Sequence, residues 1–281
     1  MIYNDFQSFY KTVGGNEGNK CHYPTRLDTY GCGCGHDCKY CYAKALLNFR
    51  NLWNPQNPSI ADVKYIRKIV SQMHPGEIVR LGGMTDCFQP CEKVHRITYK
   101  TIQMLNKRRV HYLIVTKSAI VADKEYLNLF DKDLAHIQVT VTTTDDELCK
   151  TYEKASVPSK RIRAIETLEE NGFDVSIRLS PFIPQYIDIN ELNKIKCKKI
   201  LIEFLRVNSW IKKWFPLDYS KWTVKQNGYE HLPLEIKKEY LKNIHFEQMT
   251  ICEDETEAYE YWQNNFNFNK NDCCNLRFNG S

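Results

Sequence analysis

The sequence predicts an α/β fold, a partial (β/α)6 barrel with a small C-terminal α-rich cap, on three observations. Between residues 26 and 205, short β-rich runs alternate with amphipathic helical stretches, the pattern of repeated βα units around a parallel sheet. A cysteine-rich loop follows the first run directly, at the carboxyl end of a strand, where parallel βα folds build their reactive face. Beyond residue 205 the alternation stops, so 1–25 reads as an N-terminal lead-in, 26–206 as the barrel and 207–281 as a cap or lid.

The expected strands are 26–31 (RLDTYG), 77–83 (EIVRLGG), 111–118 (HYLIVTKS), 136–143 (HIQVTVTT), 174–180 (DVSIRLS) and 198–205 (KKILIEFL). Helical stretches fall at 42–52, 60–73, 92–107, 124–131, 159–171 and 188–196. In the fifth of these, Ile162, Ile165 and Leu168 form one apolar stripe, and Gly172 stands where the helix must stop. Residues 14–19, rich in Gly and Asn, read as flexible. The cap carries WIKKWFPLDYSKW, a Lys/Glu-rich helix near 233–243 and an acidic, aromatic tail.

Composition bounds the function. A chain of 281 residues with 42% hydrophobic content can bury one substantial core. The first twenty residues have no basic start followed by an apolar run, and no apolar stretch reaches 18 residues, which argues against a secretory leader and a membrane span and for the cytoplasm. Twelve cysteines in such a chain read as metal ligands and free thiols rather than disulfides. The net charge of +5 permits a nucleic acid or an anionic cofactor without requiring either.

The chemistry is signalled by Cys34, Cys38 and Cys41, a C-x3-C-x2-C triplet. Cubane iron–sulfur clusters take four thiolates, so three leave one iron open to bind and activate another molecule. Zinc also takes thiolates, but structural zinc motifs usually come as two paired half-sites. Here Cys32 is the only close fourth thiol, and C-x-C spacing suits a shared zinc poorly.

The triplet resembles the cluster loop of radical SAM enzymes. From Tyr23 to about Asn208 the chain resembles the spore photoproduct lyase-like branch of that superfamily, carried by YPTRLDTYGCGCGHDCKYCYAK, TDCFQPCEK, LIVTKSAI, IQVTVTTTDDEL with RIRAIETLEENG, and VSIRLSPFIP in that order and spacing. The resemblance implies a [4Fe-4S] cluster on Cys34, Cys38 and Cys41, S-adenosylmethionine on the open iron, and a reducing partner of the flavodoxin or ferredoxin type. It further implies that Gly82, Gly83 and Thr85 meet the SAM amino group through the backbone, that Tyr40 meets the adenine, that Lys117 pairs with the carboxylate and that Thr142 contacts the ribose. Arg178 is expected to point toward the cofactor or substrate. The hydrogen-donating cysteine of the DNA lyase has no counterpart here, since its place holds Gly83 or Met84; Cys87 and Cys91, just beyond, are candidate donors.

Within the branch, the compact length and acidic aromatic cap resemble queuine lyases, which implies fragmentation of queuine to its 7-aminomethyl-7-deazaguanine precursor. A deazaguanine needs acidic or amide partners, for which Asp86, Gln89, Glu92 and Glu203 are candidates, and aromatic faces, for which Tyr42, Phe88, Trp210 and Trp214 are candidates. The alternative is repair or modification of a base within DNA or RNA, against which the acidic run Glu253, Asp254, Glu255, Glu257 and Glu260 argues, since it would repel a phosphate backbone. A third reading is a non-catalytic iron–sulfur or zinc protein. His245, Cys252, Cys273 and Cys274 form a candidate second metal site, for zinc, although adjacent cysteines seldom both ligate one ion.

Overall fold

A computed structural model describes residues 9–278; of the expected lead-in and tail, 1–8 and 279–281 lie outside the described residues. The strands are β1 (Tyr10–Thr12), β2 (Thr25–Leu27), β3 (Tyr30–Gly31), β4 (Ser59–Ile60), β5 (Ile78–Leu81), β6 (His111–Thr116), β7 (Ala135–Val141), β8 (Asp174–Phe182), β9 (Lys199–Phe204), β10 (Val224–Gln226), β11 (Tyr229–His231) and β12 (Gln248–Ile251). Eight of them form one sheet in the order β1-β2-β5-β6-β7-β8-β9-β12, in which β1 is antiparallel to β2 and all later neighbours are parallel. With edges at β1 and β12, the sheet is a partial barrel.

Strand β8 shows why the sheet curls around a polar cavity. Val175, Ile177 and Leu179 alternate with Asp174, Ser176, Arg178 and Ser180, and successive side chains of a strand point to opposite faces. The apolar set belongs to the continuous core with Ile165 and Leu168 of the helix Pro158–Glu170, which packs on β7 and β8. Arg178 and Ser180 line the cavity. The helix Val63–Gln72 follows the same logic, burying Ile66, Ile69 and Val70 and starting at Asp62, whose side chain accepts the Lys64 amide.

The structure departs from the expectation in four places. The strand expected at 26–31 divides into β2 and β3, and β3 pairs with β4 rather than with the main sheet. The helix expected at 92–107 breaks at Arg96, which adopts a left-handed conformation between Glu92–His95 and Ile97–Arg108. Residues 15–20 form a short helix rather than a flexible lead-in, tied to the C-terminal region by the Lys20 ammonium, which donates to the Asp254 carbonyl at 2.7 Å.

The largest departure is the C-terminal region, which is not an α-rich cap alone. It adds β12 as a seventh parallel strand beside β9 and a hairpin, β10–β11, whose Asn227-Gly228 turn has both residues at positive φ. It also adds a tail whose Phe278 ring contacts the rings of His111 and His136 at the amino ends of β6 and β7. No helix among the described residues is long and apolar enough to cross a membrane.

The helix Thr256–Asn265 is fixed on the core by Trp262, which is 1% exposed. Replacing it, Trp262→Ala, is expected to cost about 3–5 kcal/mol in urea unfolding. Phe268→Ala, at a position 59% exposed, should change stability by less than about 0.5 kcal/mol.

Candidate active site

The cysteine triplet lies on a loop whose backbone must bend sharply. Cys32, Gly33 and Asp37 all have positive φ, and any Cβ at Gly33 would overlap the Asn54 carbonyl. Hydrogen bonds hold the loop from both sides: Gly35 N–H donates to Gln89 Oε1 at 2.8 Å, Lys154 N–H to the His36 carbonyl at 2.7 Å and Lys39 N–H to the Tyr152 carbonyl at 2.9 Å. Cys41 caps the helix Tyr42–Phe49, so the amide end of that helix, which favours negative charge, points at the thiols.

Cys34, Cys38 and Cys41 all line one cavity of about 230 Å³. Burial pushes all three thiols up, so a bound metal must drive their ionisation. The residues present fit a cluster better than a lone ion. Among the described residues, only His231, Glu253 and Asp254 bring three ligand atoms within 4.8 Å of one another. At least one pair of the loop sulfurs is therefore more than 4.8 Å apart, against roughly 3.8 Å between thiolates on one tetrahedral zinc.

Behind the loop sits Glu153, fully buried, which accepts hydrogen bonds from Arg161, the Tyr40 hydroxyl, Thr142 Oγ1 at 3.2 Å and Cys149 Sγ at 3.3 Å, and lies 3.6 Å from Cys38 Sγ. Burial pushes its carboxyl up, but Arg161 and Lys117 outweigh that and hold it at about 2. No local signal in the run Thr151-Tyr152-Glu153-Lys154 marks this residue, because its partners arrive from other elements.

Of the residues expected to contact the cofactor, Tyr40, Gly82, Gly83, Thr85 and Lys117 line the cavity and Thr142 does not. Gly82 and Gly83 follow β5, and a Cβ on Gly83 would overlap the Arg26 side chain, which packs against this turn. The turn is pinned by Asp28 Oδ1, which accepts the amides of Gly83 at 2.7 Å, Met84 at 3.1 Å and Thr85 at 3.4 Å. Lys117, just beyond β6, lines the cavity with its ammonium 5.6 Å from the Tyr40 ring centroid, and has no carboxylate within 4 Å among the described residues. Tyr40 lines the cavity as well. The Thr85 hydroxyl turns back to the Tyr30 carbonyl at 2.6 Å. Thr142 turns to Tyr152 and Glu153, and Thr140 is the β7 hydroxyl residue that lines the cavity.

Of the expected substrate contacts, Tyr42, Asp86 and Glu203 line the cavity and five others do not. The Asp86 oxygens are already used, accepting from Phe88 N–H and Thr116 Oγ1 at 2.8 Å and from Lys117 N–H at 2.7 Å, with His36 Nε2 at 3.2 Å. Glu92 is fully buried against the hydroxyls of Tyr30 and Tyr126 and caps the amides of Thr98 and Tyr99. Phe88 is a core residue packed edge-on to Tyr126, and Gln89 supports the cluster loop. Trp210 and Trp214 pair with each other outside the cavity, with the Lys44 ammonium over the Trp214 ring.

The structure likewise does not bring Cys87 or Cys91 to the cavity. The Cys87 thiol is sealed in the core toward the Leu81 carbonyl, and Cys91 precedes the helix Glu92–His95. His245 does not join Cys252, because β12 runs between them and at about 3.3 Å per residue holds them at opposite ends of the strand. Cys252, Cys273 and Cys274 do meet the cavity, together with Cys21, Lys20, Arg26, Arg80, Arg206, Glu253 and Asp254, none of which was expected there as a group. Strand β12 is the missed signal: once it is seen, Cys252-Glu253-Asp254 occupies the carboxyl end of a parallel strand, where site residues belong.

Arg178 spans the inner wall, donating to Gln138 Oε1 at 2.7 Å and Glu203 Oε2 at 2.5 Å, and Ser180 donates to the same Glu203 oxygen at 2.8 Å. Burial pushes the Glu203 carboxyl up, yet Arg178 and Arg206 outweigh it and hold it at about 2, below its ordinary 4.5. Because the folded value is depressed, the stability it contributes is present above about 4.5 and is lost as pH falls toward about 2. Wild type should therefore exceed Glu203→Gln in urea midpoint at pH 6–7, by a gap that closes across that acid window.

Comparison with known proteins agrees with this geometry. Residues 29–191, more than half of the chain, match the radical SAM superfamily. An uncharacterized protein of Methanocaldococcus jannaschii is 25% identical over 158 residues, which is 56% of this chain and 60% of that protein. An uncharacterized protein of Acidianus two-tailed virus is 23% identical over 172 residues, 55% of each. The chain thus spans less than two thirds of the length of these relatives. Among solved structures, spore photoproduct lyase complexed with a dinucleoside spore photoproduct superposes with a TM-score of 0.62 at 14% identity, covering 87% of this chain and 81% of that one. A mutant form of that lyase with bound AdoMet and the dinucleoside gives 0.59 at 14% identity, over 88% and 79%. These likenesses establish the fold, and with the family match over the cysteine loop they lead to one conclusion: the chain belongs to the radical SAM superfamily.

Proposed function

We propose that the protein is a radical SAM lyase that fragments a substrate presenting a nucleobase to this cavity. One observation carries the reading: the three-thiol loop and the Arg178–Glu203 pair line the same cavity, so a group oriented by that pair lies within reach of chemistry begun at the loop. When bound, the cluster and SAM supply a 5'-deoxyadenosyl radical able to remove a hydrogen atom from an unactivated carbon. The protein's own contribution is placement. Lys117 offers an ammonium to a carboxylate, the Gly82–Gly83 turn brings backbone close, and Tyr42 braces that turn by donating its hydroxyl to the Gly83 carbonyl. Arg178 and Glu203 present a paired donor and acceptor edge suited to a purine-like heterocycle.

Two substrate forms follow. A base carried within DNA or RNA is supported by the likeness to a lyase solved with a bound dinucleoside photoproduct. A free base, with queuine as the specific choice, is supported by the acidic roof, in which Glu253 and Asp254 line the cavity. The electron comes from a reducing partner of the flavodoxin or ferredoxin type.

Anaerobic reconstitution with SAM and a strong reductant should release 5'-deoxyadenosine, and Cys38→Ala should abolish it; a fully loaded wild type that releases none refutes the reading. Lys117→Met should weaken SAM binding by about 10- to 100-fold, since it removes one charge-assisted contact. For a polymer substrate, affinity should fall steeply between 50 and 200 mM salt through counterion release, by about a thousandfold or more if six phosphates are contacted. A free base should show no such slope, and product mass after incubation with queuine tests that choice directly.

A further inference from the structure

His36 stands in the middle of the cluster loop, two residues from Cys34 and two from Cys38. The turn around it is closed by the Asp37 N–H, which donates to the Cys34 carbonyl at 3.0 Å, and its own carbonyl accepts the Lys154 N–H at 2.7 Å. The backbone beneath the ring is therefore fixed. His36 is 2% exposed and lines the cavity with Cys34, Cys38 and Cys41; among the described residues no other histidine does.

Both ring nitrogens are buried, and neither completes a hydrogen bond among the described residues. Such burial is costly, because a buried polar atom normally finds a partner. Nε2 does have a neighbour, Asp86 Oδ2, at 3.2 Å. The Asp86 carboxylate is itself locked by the Thr116 hydroxyl and by the Phe88 and Lys117 amides. An anion so placed draws the ring proton to Nε2 and leaves the Nδ1 lone pair bare. A carboxylate behind one ring nitrogen and a bare lone pair on the other is the arrangement of a metal-ligating histidine.

We propose that His36 Nδ1 is a displaceable fourth ligand of the cluster, capping the open iron until SAM arrives. Imidazole suits iron, and it replaces thiolate in some clusters. His36 and any two of the loop thiols do not bring three ligand atoms within 4.8 Å of one another, consistent with donors that serve different irons. SAM binding is then a ligand exchange without electron transfer: the iron–imidazole bond breaks, its electron pair returns to Nδ1, and the SAM amino and carboxylate groups take the iron. The inference rests on the cluster and SAM of the proposed function and on neither form of substrate.

The test uses the full chain grown with ¹⁵N-histidine, reconstituted anaerobically with iron and sulfide and reduced with dithionite. Pulsed electron paramagnetic resonance of the SAM-free wild type should show the ¹⁵N coupling of a directly bound imidazole, and saturating unlabelled SAM should remove it. His36→Leu should lack the coupling. It should also bind SAM about three- to tenfold more tightly in anaerobic equilibrium dialysis, the gain expected if His36 holds the iron in about two thirds to nine tenths of SAM-free molecules. A merely structural His36 predicts the reverse, since a loosened loop binds SAM less well. Release of 5'-deoxyadenosine by the same wild-type preparation separates the two readings: with release but no coupling, only the present proposal falls. A coupling that persists at saturating SAM, or a cluster-loaded His36→Leu that binds SAM no more tightly than wild type, overturns it as well.

Discussion

The buried carboxylate of Glu153 is the interaction on which the site depends. It meets the cluster loop through Tyr40 and Cys38, the end of strand β7 through Thr142 just beyond it and the helix Pro158–Glu170 through Arg161, all buried. A charge in such surroundings is tolerable only when its partners are complete; removing one partner of a buried pair typically costs about 3–5 kcal/mol. The loop, the strand end and the helix are therefore held in one relative position. That rigidity matters because hydrogen abstraction needs the reacting atoms held close and aligned.

The framework was legible because it follows from periodicity. The runs HYLIVTKS and DVSIRLS are largely buried on both faces and the stripe of Ile162, Ile165 and Leu168 packs on the core, and the structure keeps them as β6, β8 and a helix. The cysteine triplet was legible from spacing alone. The rest was hidden for physical reasons. Strand β12 is four residues long, and the alternation of Gln248-Met249-Thr250-Ile251 is too short to announce itself, so the carboxyl end it supplies, with Cys252, Glu253 and Asp254, was read as cap. Glu92 and Phe88 looked available because sequence gives residue type but not direction; their partners, Tyr30 and Tyr126, come from elements tens of residues away.

The division of labour within the fold is clear from these placements. The parallel strands supply a common scaffold, which is why a structure at 14% identity superposes over most of the chain. The region after residue 205 builds one wall of the cavity. Arg206, Glu253 and Asp254 bring paired charges, and the tail brings thiols, to a cavity that the cysteine loop lines from the other side. Of the strand ends that this wall faces, the Asp86 carboxylate is already engaged by Thr116 and the Lys117 amide, whereas the wall's own charged groups line the cavity.

The tail's position also sets a timetable for maturation. Cys274 is synthesised 233 residues after Cys41, a delay of roughly 10 to 50 s at ordinary rates of translation. Throughout that interval the wall formed by Cys252, Cys273 and Cys274 does not exist, and the loop thiols stand open on one side. Until that wall arrives, Cys34, Cys38 and Cys41 lack the enclosure that the finished cavity gives them.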